Sequence, residues 1–229
     1  MIRKATILAL CAFSACVFGQ DNQSKRITIP DTSRSPDHRF GVTVPVRDFD
    51  DEKSHPPNKL VEIKSGRVLA VLAGETGWTK MNHGGVLPSR WSRDGSLLLW
   101  EVDGKWFPNA LDVVKIEKDE VKWQTDILKA AQEAILARTK AATPQKYAAA
   151  KKANAGNGSA YADGFSIDVE ALDPIALPLR VRVALTSNPK QIPGPDMVTL
   201  ESKLEATVDV DGKFVVQSFG LGPGKSRHF

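Results

Sequence analysis

The residues best suited by type to meet a ligand lie in one glycine-rich stretch, Ala73 to Ser89. It carries Trp78, Met81, Asn82 and His83 among Gly74, Gly77, Gly84 and Gly85. Loops of this length inside a compact domain are uncommon and often functional. Trp78 and Met81 are costly to leave in water, since burying such a side chain is worth about 1.5–3 kcal/mol. The glycines permit the φ > 0 turns that bring the chain back onto a sheet. The expectation is an ordered loop over one end of the N-terminal hairpins, forming the main concave surface. Trp78 would dock near Trp91 or Trp106, with Asn82 and His83 at the rim. These four are the candidate ligand-binding residues, although a lone loop histidine is more often a turn or packing residue.

Other chemistry finds less support. Asp48, Asp50, Asp51 and Glu52 offer hard oxygen ligands for Ca²⁺ but lack the glycine and distal glutamate of an EF-hand, so a solvated acidic loop is expected. His38, His55 and His228 have no zinc-ligand spacing. The run Gly220-Leu221-Gly222-Pro223-Gly224-Lys225-Ser226 has Phe219 where a phosphate loop needs its first glycine, and no room for the following helix. Trp78, Trp91, Trp100, Trp106 and Trp123 could line a sugar or peptide platform, but strand tryptophans are more often core. No catalytic residue, metal or cofactor is assigned.

Around these residues the chain reads as an exported protein. Arg3 and Lys4 precede the apolar run Ala5 to Phe18, and Val17-Phe18-Gly19 gives a cleavage site before Gln20, so residues 1–19 are read as a signal peptide. The run is too short for a stable membrane span, and no transmembrane span is expected in the mature chain. Cys11 and Cys16 both fall in the leader, which leaves a mature chain without thiol or disulfide chemistry. Cleavage also removes Arg3 and Lys4 from the 31 basic residues, so 29 face 27 acidic ones and the net charge is +2. So small a charge argues against general nucleic-acid binding, which phosphate neutralisation drives.

The remaining 20–229 divide by pattern. Residues 20–34 read as a flexible lead-in without core. Alternation at Phe40, Val42, Val44 and Val46 predicts a strand, and Leu60 to Ile63 with Val68 to Leu72 predicts a hairpin. Leu97 to Phe107 is the strongest signal, a hairpin on Asp103-Gly104. Its predicted register sets Val102 opposite Lys105, Glu101 opposite Trp106 and Trp100 opposite Phe107. Both faces of the first strand are apolar, so both must be covered. Leu111 to Lys115 and Val121 to Trp123 predict another strand pair, completing a β-rich region over 35–123.

A helical segment follows at 124–153. Ile127, Leu128, Ala131, Ala134 and Ile135 make one apolar stripe, capped by Thr125 or Asp126. Thr143-Pro144 starts a second helix with little to bury. Residues 154–164 read as a linker, and 165–222 as a C-terminal antiparallel sheet before a tail at 223–229. A two-residue turn at Asp211-Gly212 would put Leu204, Ala206, Val208, Val210, Val215 and Phe219 on one face, covered by the helix stripe. The fold class is α+β, antiparallel hairpins and sheets around a central helical segment.

Three resemblances attach to particular residues. Ser35-Pro36-Asp37-His38-Arg39-Phe40 and Trp91-Ser92-Arg93-Asp94-Gly95-Ser96-Leu97 resemble the (W)SPDG-plus-strand repeat of TolB-type and WD40-like β-propellers, over residues 35–107 only. A closed propeller needs about four blades, so the resemblance implies propeller-like local units within a smaller sheet structure. His83-Gly84-Gly85 resembles the start of the oxyanion loop of α/β-hydrolase esterases, without the nucleophile elbow that chemistry requires. Phe13-Ser14-Ala15-Cys16 resembles a bacterial lipobox, which implies a lipid anchor at Cys16.

The functional expectation is an exported, periplasmic, envelope-bound or secreted binding protein that is not catalytic, with an unidentified protein or envelope ligand as partner. The alternatives are a hydrolase with its site around His83, and a structural or assembly domain.

Overall fold

The computed structural model describes residues 27–45, 56–72, 85–104, 108–154, 162–187 and 199–224. The leader, the acidic residues 48–52 and the stretch 73–84 lie outside them. The fold is α+β, with three sheets in which every strand pairing is antiparallel.

The first sheet runs β1 (Ile27–Thr28), β2 (Phe40–Pro45), β3 (Lys59–Glu62) and β4 (Val68–Val71) in order. The second is built on β7 (Leu97–Asp103), β8 (Pro108–Glu117) and β9 (Glu120–Asp126). Short β5 (Gly85–Val86) and β6 (Arg90–Trp91) both pair with β7. Helices α1 (Ile127–Ala142) and α2 (Pro144–Asn154) come next. The third sheet closes the chain as β10 (Phe165–Ala171), β11 (Leu179–Ser187), β12 (Glu201–Val208) and β13 (Phe214–Leu221).

Strand β7 lies between two cores, as its two apolar faces require: an upper one against the first sheet and a lower one against α1 and the third sheet. Leu98, Trp100 and Val102 join Ala110, Val114 and Ile116 of β8 against Phe40, Val42, Val44 and Leu60 of the first sheet. Leu97 and Leu99, with Leu111 and Val113, face the opposite way into a core shared with Ile127, Ala131 and Ile135 of α1 and the inner face of the third sheet. The helix stripe thus covers the C-terminal sheet and one face of the second sheet together.

The register of β7 with β8 differs from the expected two-residue hairpin. Val102 pairs with Ala110, Glu101 with Leu111 and Trp100 with Asp112, a slip of five residues that places 104–107 between the strands. Under the expected register β7 would run out at Ala110, leaving Leu111, Val113, Val114 and Ile116 with no strand beside them. The observed one sets Leu97 opposite Lys115 and carries those four residues into the two cores. The β8–β9 turn is made by Lys118 and Asp119, both at positive φ (51° and 66°), as a type I′ turn demands.

Helix α1 starts at Ile127 because Gln124 to Asp126 still pair with Val114 to Asp112 in the sheet. Asp126 is the cap, its carboxylate accepting from Lys129 N at 2.9 Å. Helix α2 buries more than its sequence suggests: Tyr147, Ala150 and Asn154 form a stripe turned into the core. The expected linker is docked at its far end. There the Tyr147 hydroxyl donates to Asp163 Oδ2 at 2.7 Å and Lys151 Nζ to Oδ1 at 2.6 Å. The lead-in also differs from expectation, since β1 pairs with β2 and Ser33 is buried, donating to Pro30 O and accepting from Val42 N.

In the third sheet the turn is longer than two residues. Gly212 N donates to Asp209 O at 3.1 Å and Asp209 N to Lys213 O at 3.0 Å, with Gly212 at φ 80°. This is a three-residue loop ending in a left-handed glycine. Its extra residue slips β13 by one, so Val208 pairs with Phe214, and Phe214 and Val216 turn inward. Val210 and Val215, expected inside, are exposed. A bulge between Glu205 and Ala206 restores the expected pairing of Leu204 with Phe219.

Candidate functional site

Two turns with the same hydrogen-bond plan shape the molecule near an open cleft. In the first, Ser35 Oγ donates to Asp37 Oδ1 at 2.6 Å and accepts from Phe40 N at 3.0 Å, while Arg39 N donates to the same carboxylate oxygen at 3.1 Å. In the second, Ser92 Oγ donates to Asp94 Oδ1 at 2.6 Å and accepts from Leu97 N at 2.8 Å, with Ser96 N on Asp94 Oδ1 at 3.1 Å. The backbone repeats too: Ser35 N donates to Phe40 O and Ser92 N to Leu97 O, each at 2.9 Å. Serine and aspartate at this spacing close a turn with their own side chains, and a strand follows in each case.

The second turn forms one wall of an open cleft of about 1170 Å³. Arg90, Trp91, Arg93 and Lys115 line this wall with the turn residues, and Asp173 to Leu177, the segment between β10 and β11, forms the other. Arg90 bridges the walls, 3.6 Å from buried Glu101 and 3.6 Å from Asp173. Ile175 is buried in the lower core, leaving Pro174 and Ala176 exposed at the rim. Trp91 is anchored by its Nε1, which donates to Ser33 O at 3.3 Å and ties the cleft wall to the connection between β1 and β2.

Three polar side chains of the cleft, Ser92, Asp94 and Ser96, are engaged in building the turn. Hydrogen bonds from the Ser92 hydroxyl and from the Ser96 amide and hydroxyl hold the Asp94 carboxyl ionised, at a pKa of about 2. Lys115 Nζ donates to Ser96 Oγ at 2.9 Å and adds its charge in the same direction. Ser92 Oγ already spends its proton on Asp94 and its lone pair on Leu97 N.

The four residues expected to bind ligand, Trp78, Met81, Asn82 and His83, lie outside the described residues, as do Trp106 and residues 48–52. Among the five tryptophans, Trp91 borders the cleft, Trp100 is wholly buried in the upper core and Trp123 packs under Gly212. These three, the described tryptophans, do not form a common platform. His38 sits in the first turn at the position Gly95 takes in the second. Gly224 packs on Ala184 of the third sheet, and Lys225 and Ser226 lie outside the described residues. Among the described residues no three His, Cys, Asp or Glu side chains gather as a metal site, and no helix is long and apolar enough to cross a membrane.

Arg90, Arg93, Lys115 and Pro174 to Leu177 were not singled out by the sequence pattern. The one local signal was Asp173-Pro174-Ile175-Ala176-Leu177-Pro178, an apolar segment between prolines. Its meeting with the turn before β7 depends on packing across the lower core.

The fold and cleft together define a layered α+β protein with an open depression at the junction of its second and third sheets. No family model, no curated protein and no solved structure matches the chain.

Proposed function

We propose that the chain is an exported binding protein, that the cleft between the Trp91 to Leu97 turn and the Asp173 to Leu177 segment is its binding surface, and that it does not act as a catalyst. The observation that carries this reading is the engagement of Ser92, Asp94 and Ser96: each potentially reactive group is already bonded inside the turn, while the apolar rim at Pro174 and Ala176 stays open. Sites of this kind recognise ligands through apolar walls and a few fixed polar groups. The matching turns support the resemblance to propeller repeat units, two of them, with helices and a third sheet where further blades would stand. Export rests on the leader pattern of residues 1–19, with a lipid anchor at Cys16 if the lipobox is used.

Photo-crosslinking tests the binding reading. A photoreactive side chain at position 176, with one at Lys152 on α2 as control, is expected to yield a discrete adduct from an envelope fraction at the first position only. Equal labelling at both, or a hydrolytic activity lost on His83→Ala, overturns it. Intact mass of the exported protein is expected to lack residues 1–19, and a retained Met1 overturns the export reading.

A further inference from the structure

We infer that the cleft takes an extended acidic peptide segment, with a carboxylate side chain between Arg93 and Lys115 and an apolar side chain against Pro174 and Ala176. The inference rests on the binding reading above and specifies its ligand.

Counting what each wall has left over gives the ligand's chemistry. Asp94 accepts from Ser92 Oγ, Ser96 N and Ser96 Oγ, chiefly through Oδ1, so most of its carboxylate is engaged within the turn. Glu101 and Asp173 share Arg90. Lys115 spends one donor on Ser96 and keeps two of the three an ammonium carries. Arg93 is exposed, lines the cleft and makes no ion pair among the described residues, so its planar fork of donors is open. The lining carries three cations, Arg90, Arg93 and Lys115, against two carboxylates, Asp94 and Asp173, and Arg93 and Lys115 keep open donors, so the complementary group is an anionic acceptor. A carboxylate suits the guanidinium fork.

The opposite wall sets the rest of the ligand. Pro174 and Ala176 present small apolar surface at the rim, and Ile175 and Leu177 root the segment in the lower core. With Arg93, Asp94, Asp173, Pro174 and Ala176 all exposed, the cleft leaves one side of any occupant in water. A fatty acid needs most of its chain enclosed. An extended peptide, whose side chains alternate between the two sides, does not.

Calorimetric titration of the full chain with three blocked seven-residue peptides, alternating leucine with glutamate, glutamine or lysine, decides the matter. The glutamate peptide is expected to bind, more weakly at high salt, and the lysine peptide not to bind. Arg93→Glu, whose fold is checked by near-ultraviolet circular dichroism, is expected to weaken the glutamate peptide by about tenfold or more. Ala176→Asp is expected to weaken it without removing a cation. Equal binding of the glutamine peptide, or an unchanged affinity in Arg93→Glu, overturns the acidic assignment. Sodium laurate that displaces the peptide and binds more tightly overturns the peptide assignment in favour of a lipid carboxylate. If no peptide binds while position 176 still crosslinks, this inference falls and the binding reading stands. If neither binds nor crosslinks, both fall.

Discussion

His38 and Gly95 hold the same left-handed backbone, at φ 58° and 68°, at the same position of two turns that share their backbone bonds and their serine and aspartate bonds. The two turns are also neighbours: the Cβ position of Gly95 lies 3.8 Å from Pro36 Cδ and 3.9 Å from Ser35 Cβ. One local solution is used twice, side by side, to launch the strands that face each other across the upper core.

A left-handed conformation costs an L-residue roughly 1–2 kcal/mol, part of which glycine gives back through its looser unfolded chain. His38 is exposed, so its side chain gives up little burial when removed. His38→Gly is expected to stabilise the protein by up to about 1 kcal/mol, and Gly95→His to destabilise it by a similar amount. Urea unfolding midpoints measure both, and a destabilised His38→Gly protein would refute the equivalence.

Acid should weaken both turns. The Ser92 hydroxyl and then the Ser96 amide lower Asp94 from the ordinary 3.8 to about 2. Partial burial raises Asp37, but the Ser35 hydroxyl, the Arg39 amide and the Arg39 charge outweigh it and the balance is downward. A carboxyl with a depressed folded pKa binds fewer protons than its unfolded counterpart. Its contribution is complete above the ordinary value and is lost as pH falls through the folded one, for Asp94 between about 4 and about 2. Ser92→Ala is expected to bring the Asp94 titration, followed by carboxyl carbon NMR, up towards the ordinary value. It should cost about 1–2 kcal/mol at neutral pH, because Leu97 N loses its acceptor. An Asp94 titration unmoved by the change would show that the hydroxyl is not its main support.

Gly212 docks the tip of the β12–β13 hairpin on Trp123. A Cβ there would lie 2.7 Å from Trp123 Cδ2, and the backbone is left-handed at φ 80°. Trp123 Nε1 also donates to Val210 O at 3.1 Å, and Thr125 Oγ1 to Gly212 O at 2.5 Å. Gly212→Ala is expected to cost about 2–4 kcal/mol from overpacking and strain together and to red-shift the indole fluorescence as the tip lifts. Wild-type stability in this variant would mean the tip does not bear on β9.

The layered arrangement was legible where the residues left no choice. Leu97 to Val102 is apolar on both faces, so a doubly covered strand followed from sequence, as did the helix stripe, which was expected on the C-terminal sheet alone and covers a face of β7 as well. Pairing was less legible, because turn chemistry is local and register is decided by burial elsewhere. Asp103-Gly104 signals a tight hairpin, yet the apolar residues of β8 reach their cores only with a longer connection. Asp211-Gly212 signals a two-residue turn, yet the observed loop adds one residue and inverts Val215 with respect to Phe214. Tyr147 and Asn154 gave no sequence sign of burial because their partners, Asp163 and Gly164, come after the linker. The cleft was the least legible element, since Arg93, Lys115 and Ala176 converge only through tertiary packing.

Strand β7 gives one face to each core, and this has a thermodynamic consequence. Melting the N-terminal sheet strips Trp100 and Leu98 of their cover, and melting the helices and C-terminal sheet strips Leu97 and Leu99 from the same backbone. Neither half has a boundary at which unfolding can stop without leaving an apolar sheet face in water. The two halves should therefore lose their amide-exchange protection together, as one cooperative unit, and a cut after Asp126 should yield two fragments that refold only in each other's presence.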